Sequence, residues 1–123
     1  MSDCEIDFSL LLRPEVPTRS FATGATIFRE GEQGDEFFVV VRGKVEVRTG
    51  ERRLEILGPR GIFGEMALID DSPRSATVVA LTDATVAPIK KEQFLFLVKH
   101  VPVFALKVMR VLAMRLRCQN KAA

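Results

Sequence analysis

One stretch, Ile62 to Thr77, concentrates the residues able to do chemistry. Gly64 lets backbone approach a ligand with no Cβ in the way. Residues 65–69 suit a single helical turn, and the first N–H groups of such a turn are free to meet an anion. Pro73 fixes the backbone just ahead of Arg74, whose guanidinium can fork onto two oxygens of a phosphate or carboxylate. Glu65 only accepts hydrogen bonds when ionised, so it suits a hydroxyl donor. An anion cradle, a guanidinium and a hydroxyl acceptor together describe a sugar phosphate. One Arg and a few amides would balance the single charge of a ring phosphate, with the neighbouring sugar hydroxyl at Glu65. A Glu65–Arg74 ion pair closing the loop accounts for the same two residues without a ligand, and both readings stand at this point.

The rest of the composition narrows the chemistry. The chain has 123 residues, the size of one ordinary domain, and is 47% hydrophobic and 28% charged, a globular balance. No run approaches the roughly 20 apolar residues of a membrane helix. The acidic N-terminus lacks the basic, then apolar, order of a secretory signal, so a cytoplasmic location is expected. Cys4 and Cys118 lie at opposite ends, which suits neither a disulfide framework nor a zinc site. His100 is the single histidine. A His-rich metal centre is therefore excluded, and any Ser-His-Asp or Cys-His arrangement would have to use His100. The plainer reading of His100 is a surface or packing residue, and no enzyme is expected. Net charge is +2 but unevenly placed: residues 1–89 carry 10 Lys and Arg against 15 Asp and Glu, residues 90–123 carry 8 against 1. The basic end is read as a solvated helix face rather than a nucleic-acid or membrane contact.

Short strands must position the 62–77 stretch. Segments 18–22, 25–29, 37–41, 45–48, 53–57, 76–81 and 85–89 alternate or run β-branched and are split by turn residues, with a hairpin near Gly43. Seven or eight strands at this spacing predict an antiparallel sandwich or barrel. From Lys90 the pattern becomes helical. Residues 92–100 form a short helix, and Pro102 suits the first position of a second. Phe104, Val108, Val111 and Leu112 share one stripe with Leu116 near it, while Lys107, Arg110 and Arg117 share another. Residues 119–123 are expected to fray.

Read as a whole, Gly64-Glu65-x-Ala67-Leu68 followed by Pro73-Arg74-Ser75-Ala76-Thr77 resembles the phosphate-binding cassette of the cyclic-nucleotide-binding domain family. The likeness extends to Ile27-Phe28-Arg29-Glu30-Gly31-Glu32-x-Gly34-Asp35-x-Phe37-Phe38-Val39-Val40 and Gly43-x-Val45, which are similar to that family's early strands, and to 95–117, similar to its last two helices. It covers about residues 18–117.

The resemblance implies a mainly β fold: an antiparallel jelly-roll β-barrel over about 18–89, with short flanking helices and a C-terminal amphipathic helix within 92–117, the whole of 1–123 being one domain. It implies that Arg74 pairs with the cyclic phosphate and Glu65 with the ribose 2′-hydroxyl. Backbone N–H groups around Met66, Ala67 and Ser75, beside Gly64, would complete the cradle. Leu57 matches an apolar position near the base and Ile62 joins it, although both equally suit barrel core. Ser75 carries a hydroxyl where cyclic-GMP binders often do, but bacterial cyclic-AMP binders carry one too. Cyclic AMP is favoured, with a cyclic-GMP sensor and a partner-binding module that has lost its ligand as alternatives. No resident cofactor or metal is expected. The helix over 103–117 is expected to close over the base, with 111–115 as the lid region. Two departures stand out: only residues 7–12 are available for a helix before the first strand, and no helix-turn-helix fits in the few residues after Arg117. The expected partners are thus a cyclic nucleotide and an unnamed effector, with the apolar stripe of the last helix suiting either a homodimer or packing on the barrel.

Overall fold

A computed structural model describes residues 17–122, with side-chain surroundings through Arg117. The helix expected over 7–12 lies outside these residues. Eight strands and three helices follow in order: β1 (Arg19–Phe21), β2 (Thr26–Phe28), β3 (Glu36–Arg42), β4 (Val45–Thr49), β5 (Arg52–Leu57), β6 (Ile62–Phe63), α1 (Met66–Asp70), β7 (Thr77–Ala80), β8 (Ala84–Lys90), α2 (Lys91–His100) and α3 (Pro102–Ala122). The strands form two four-stranded antiparallel sheets, ordered β1-β8-β3-β6 and β2-β7-β4-β5. They make a jelly-roll-like sandwich and do not close into a continuous barrel, since no ladder joins the two sheets among the described residues.

The run Phe37-Phe38-Val39-Val40 explains the layering. Successive strand side chains point to opposite faces. Phe38 and Val40 therefore enter a core between the sheets with Phe28, Val45, Leu57, Phe63, Val78 and Val86. Phe37 and Val39 enter a second core with Ile62, Leu68, Ile89, Phe94, Phe104, Val108 and Val111, under the helices. Both faces of β3 are buried, which is why the run is continuous rather than alternating. Register supports the first core: Val45 pairs with Leu57 on one side and Ala80 on the other. Pro88 is tolerated within β8 because β1 pairs only as far as Val86, so Pro88 faces no donor-requiring neighbour on that side.

The hairpin expected near Gly43 does not form: β3 and β4 fall in different sheets, paired with β8 and β6 and with β5 and β7, so the turn at Gly43 carries the chain from one sheet to the other. Gly43 has φ +80°, and a Cβ there would lie 2.2 Å from the Asp83 carbonyl oxygen, so glycine is required on two counts. Helix α3 starts at Pro102 as expected, and it runs on to Ala122 where fraying was expected. The two-residue β6 escaped the sequence reading. It is too short to carry a period and becomes a strand only by pairing Ile62 with Val39 and Phe63 with Phe38.

Candidate functional site

The helical turn read over 65–69 is α1, shifted by one residue. Glu65 precedes it, and its carbonyl accepts from Leu68 and Ile69 at 3.0 and 3.2 Å. That leaves the Met66 and Ala67 N–H groups at the open end of the turn.

Arg74 is set by its surroundings from three sides. Its backbone N–H donates to the Glu32 carbonyl at 2.7 Å, and its carbonyl accepts from Gly31 at 2.8 Å. The loop before β3 thus clamps this residue's main chain. Nη1 donates to the Gly64 carbonyl at 2.9 Å and Nη2 to the Glu36 carbonyl at 2.8 Å. The guanidinium carbon lies 4.1 Å from the centre of the Phe28 ring, a cation–π contact. Two glycines make this slot. A Cβ on Gly34 would fall 2.3 Å from the guanidinium, and one on Gly64, at φ +84°, 2.8 Å from Nη1. Arg74 is 6% exposed. Burial lowers its pKa, against the opposing pull of Glu36, Asp35, Glu32 and Glu65.

Glu65 is 1% exposed and does not pair with Arg74. Its partner is Arg115 of α3, whose Nη1 donates to Glu65 Oε1 and whose Nη2 donates to the Ile62 carbonyl. Arg115 Nε lies 2.6 Å from Glu55 Oε1 on β5, an ion pair without hydrogen-bond alignment. Burial raises the Glu55 pKa; Arg115 pulls it down and the Glu65 charge pushes it up.

These groups face one cavity of about 640 Å³. Gly64, Glu65, Met66, Ala67, Arg74 and Ser75 all line it, as do Val47, Leu54, Glu55, Leu112, Arg115 and Leu116. Leu57 and Ile62 do not. Leu57 packs in the core between the sheets and Ile62 in the core under the helices, because β5 and β6 turn those side chains inward. His100 lies on the surface against the Phe96 ring, 4.5 Å between centroids, away from the cavity.

Glu55 was missed as a site residue, and Arg115 was reached only as the end of the lid region expected over 111–115, with no role toward Glu65. A signal existed: position 115 is four residues past Val111 and seven past Val108, so it continues the buried stripe. A charge on a buried stripe needs a partner. Nothing in the sequence identified Glu55 as that partner.

The arrangement offers an anion a guanidinium with spare donors beside open N–H groups, and offers a hydroxyl a buried carboxylate, within a largely apolar wall. Comparison with known proteins shows the family. The cyclic nucleotide-binding domain model matches residues 18–100. A protein named cyclic AMP receptor protein, from Thermus thermophilus, is 38% identical over 104 residues, covering 80% of this chain and 48% of that protein. The chain spans about half the length of the curated relatives named receptor or transcriptional regulator that it matches. Among solved structures, the Thermus thermophilus catabolite activator protein superposes with a TM-score of 0.78 at 32% identity, covering 98% of this chain and 61% of that one. A cAMP-bound PfPKA-R superposes at 0.77 with 25% identity, covering 87% and 37%. With the cassette, the two-sheet fold and the family match in agreement, the chain belongs to the cyclic nucleotide-binding domain family.

Proposed function

We propose that this domain takes cyclic AMP, in preference to cyclic GMP, as a cytoplasmic regulatory module that has no resident cofactor and catalyses nothing. The observation that carries the reading is that Arg74 and Glu65 line one cavity without neutralising each other. The cavity volume suits a ligand of nucleotide size. Two backbone carbonyls hold Arg74 in place and leave further N–H donors for the ring phosphate. The N–H groups of Met66, Ala67 and Ser75 complete the cradle, and Glu65 accepts from the ribose 2′-hydroxyl. The base lies against the apolar lining, which includes Leu112 and Leu116 of α3, so α3 acts as the lid. Ligand then shifts an equilibrium between arrangements of α3, by no more than its differential affinity for them. The name and 38% identity of the Thermus thermophilus relative support cyclic AMP as the preferred base.

Helix α3 also leaves Leu106, Met109 and Leu116 exposed, with Ala113 on the same line. The 3-4-3 spacing is that of a coiled-coil seam, and a second copy of this chain is the occupant that fits it.

Isothermal titration with both nucleotides, with particle mass followed in parallel, tests the reading. Arg74→Ala should lose about 2–5 kcal/mol of binding, the usual effect of removing one partner of a buried charge pair. Parent-like affinity in that variant would remove Arg74 as the anchor, and tighter binding of cyclic GMP would reverse the choice of base. A monomeric mass throughout would refute the seam.

A further inference from the structure

Three arginines line the cavity: Arg52, Arg74 and Arg115. Two of them are engaged by the protein. Arg74 donates to the Gly64 and Glu36 carbonyls, and Arg115 meets Glu65, Glu55 and the Ile62 carbonyl. Arg52 is exposed and, among the described residues, has no ion pair and no side-chain hydrogen bond. Its neighbour Arg53 does not line the cavity and is held by Glu46 at 2.5 Å. Of two arginines adjacent in one strand, one closes an ion pair on the protein and the other is left to the cavity.

Position decides what Arg52 can meet there. It opens β5 just past the turn at Gly50 and Glu51, with Thr49 as its cross-strand partner. From Arg52 the strand runs toward Leu57 and on to β6 and Gly64, so Arg52 stands at the end away from the cassette. Glu55, three residues along, is level with Arg115, which also reaches Glu65. Three residues of strand span about 10 Å, comparable with the distance from a sugar hydroxyl to the far edge of a purine. A guanidinium at that edge is selective. Guanine presents two acceptors there, O6 and N7, whereas adenine presents N7 beside the N6 donor. Arg forks onto the first pair and opposes the donor in the second.

We propose that Arg52 is a specificity-determining residue that donates to O6 and N7 of a guanine base, so that the domain takes cyclic GMP as a second ligand behind cyclic AMP. The proposal rests on the reading that a cyclic nucleotide fills the cavity with its phosphate at Arg74 and its sugar at Glu65. Arg52 narrows the preference between the two bases without reversing it.

The test titrates the full chain with cyclic AMP, cyclic GMP and cyclic IMP by calorimetry, with thermal unfolding as the check on folding. Cyclic IMP keeps the O6 and N7 acceptors and lacks the amino group of guanine, so it isolates the edge in question. Arg52→Ala should lower affinity for cyclic GMP and cyclic IMP by about tenfold, the scale of one forked base contact, and for cyclic AMP by about threefold at most. Arg52→Gln, which suits N6 and N7 of adenine, should widen the preference for cyclic AMP further. Arg52→Lys keeps a cationic donor for O6 and N7 and should retain most of the cyclic GMP affinity that Arg52→Ala loses. Equal weakening of all three ligands means that only the charge of Arg52 is felt, and overturns base reading by this residue. An unchanged cyclic AMP to cyclic GMP ratio, or cyclic IMP following cyclic AMP, overturns it as well. Binding of cyclic AMP without cyclic GMP by the unaltered chain removes the second ligand and leaves the cyclic AMP reading standing. Failure of the unaltered chain to bind any of the three overturns the nucleotide reading, and this inference with it.

Discussion

Gly34→Ala isolates the slot that holds Arg74. Gly34 does not adopt a left-handed backbone, so alanine introduces no main-chain strain there. The added Cβ would meet Arg74 Cζ and Nε at 2.3 Å and Nη2 at 2.5 Å. Ordinary carbon contacts need about 3.5–4.0 Å, so the guanidinium must retreat by roughly 1.2 Å or more. The Nη2 bond to the Glu36 carbonyl, now 2.8 Å, would then stretch beyond hydrogen-bonding range. What moves is the end of a flexible side chain, while the main-chain bonds of Arg74 to Glu32 and Gly31 are untouched. The fold should therefore tolerate the change, and the site should not. Losing one charge-assisted hydrogen bond and the guanidinium's aim costs about 1.5–3 kcal/mol, a drop of roughly 10- to 150-fold in cyclic nucleotide affinity. Calorimetric titration measures the loss, with thermal unfolding alongside. Gly58→Ala is the control, because nothing lies within 4 Å of the Cβ it would add. A folded Gly34→Ala chain that binds within twofold of the parent would refute the claim that this slot aims Arg74 at the ligand.

Phe104→Ala tests how α3 is held: the ring is fully buried, 6.4 Å from Phe37 and 5.8 Å from Phe94 between centroids. It should destabilise the domain by about 3–5 kcal/mol in urea unfolding, and a change below about 1 kcal/mol would mean that α3 does not depend on this contact. Glu55 supplies a pH dependence. Its folded pKa lies above the ordinary 4.5, chiefly through burial, so the stability it contributes is full below that value and is lost as pH rises through the raised one. The parent should therefore lose stability relative to Glu55→Gln as pH climbs from about 4.5, and a flat difference between the two melting curves over that range would contradict the burial argument.

Much of the architecture was legible because it rests on local period and turn chemistry. The strand segments, the turn glycine at 43, the helix start at Pro102 and the cassette from Gly64 to Thr77 each follow from neighbours within a few residues, whereas the sheet to which each strand flanking Gly43 belongs does not. The continuous apolar run at 37–40 announces a strand, and its two buried faces follow once layers cover both sides. The residue types of the cassette pointed to an anion site with a hydroxyl acceptor without choosing it over a Glu65–Arg74 ion pair.

Partner choice was not legible in the same way. Glu65 and Arg74 lie nine positions apart, and on residue types alone they could close on each other; in the folded chain Arg74 donates to backbone carbonyls and Glu65 meets a guanidinium 50 positions away. Leu57 and Ile62 have the composition of a base-facing wall, yet their strands turn them into the two cores. Periodicity tells which face of an element is buried, but it carries no information about what that face will meet. That depends on how two sheets and a helix close over one another, which brings residues 55, 62 and 65 to the single guanidinium of Arg115.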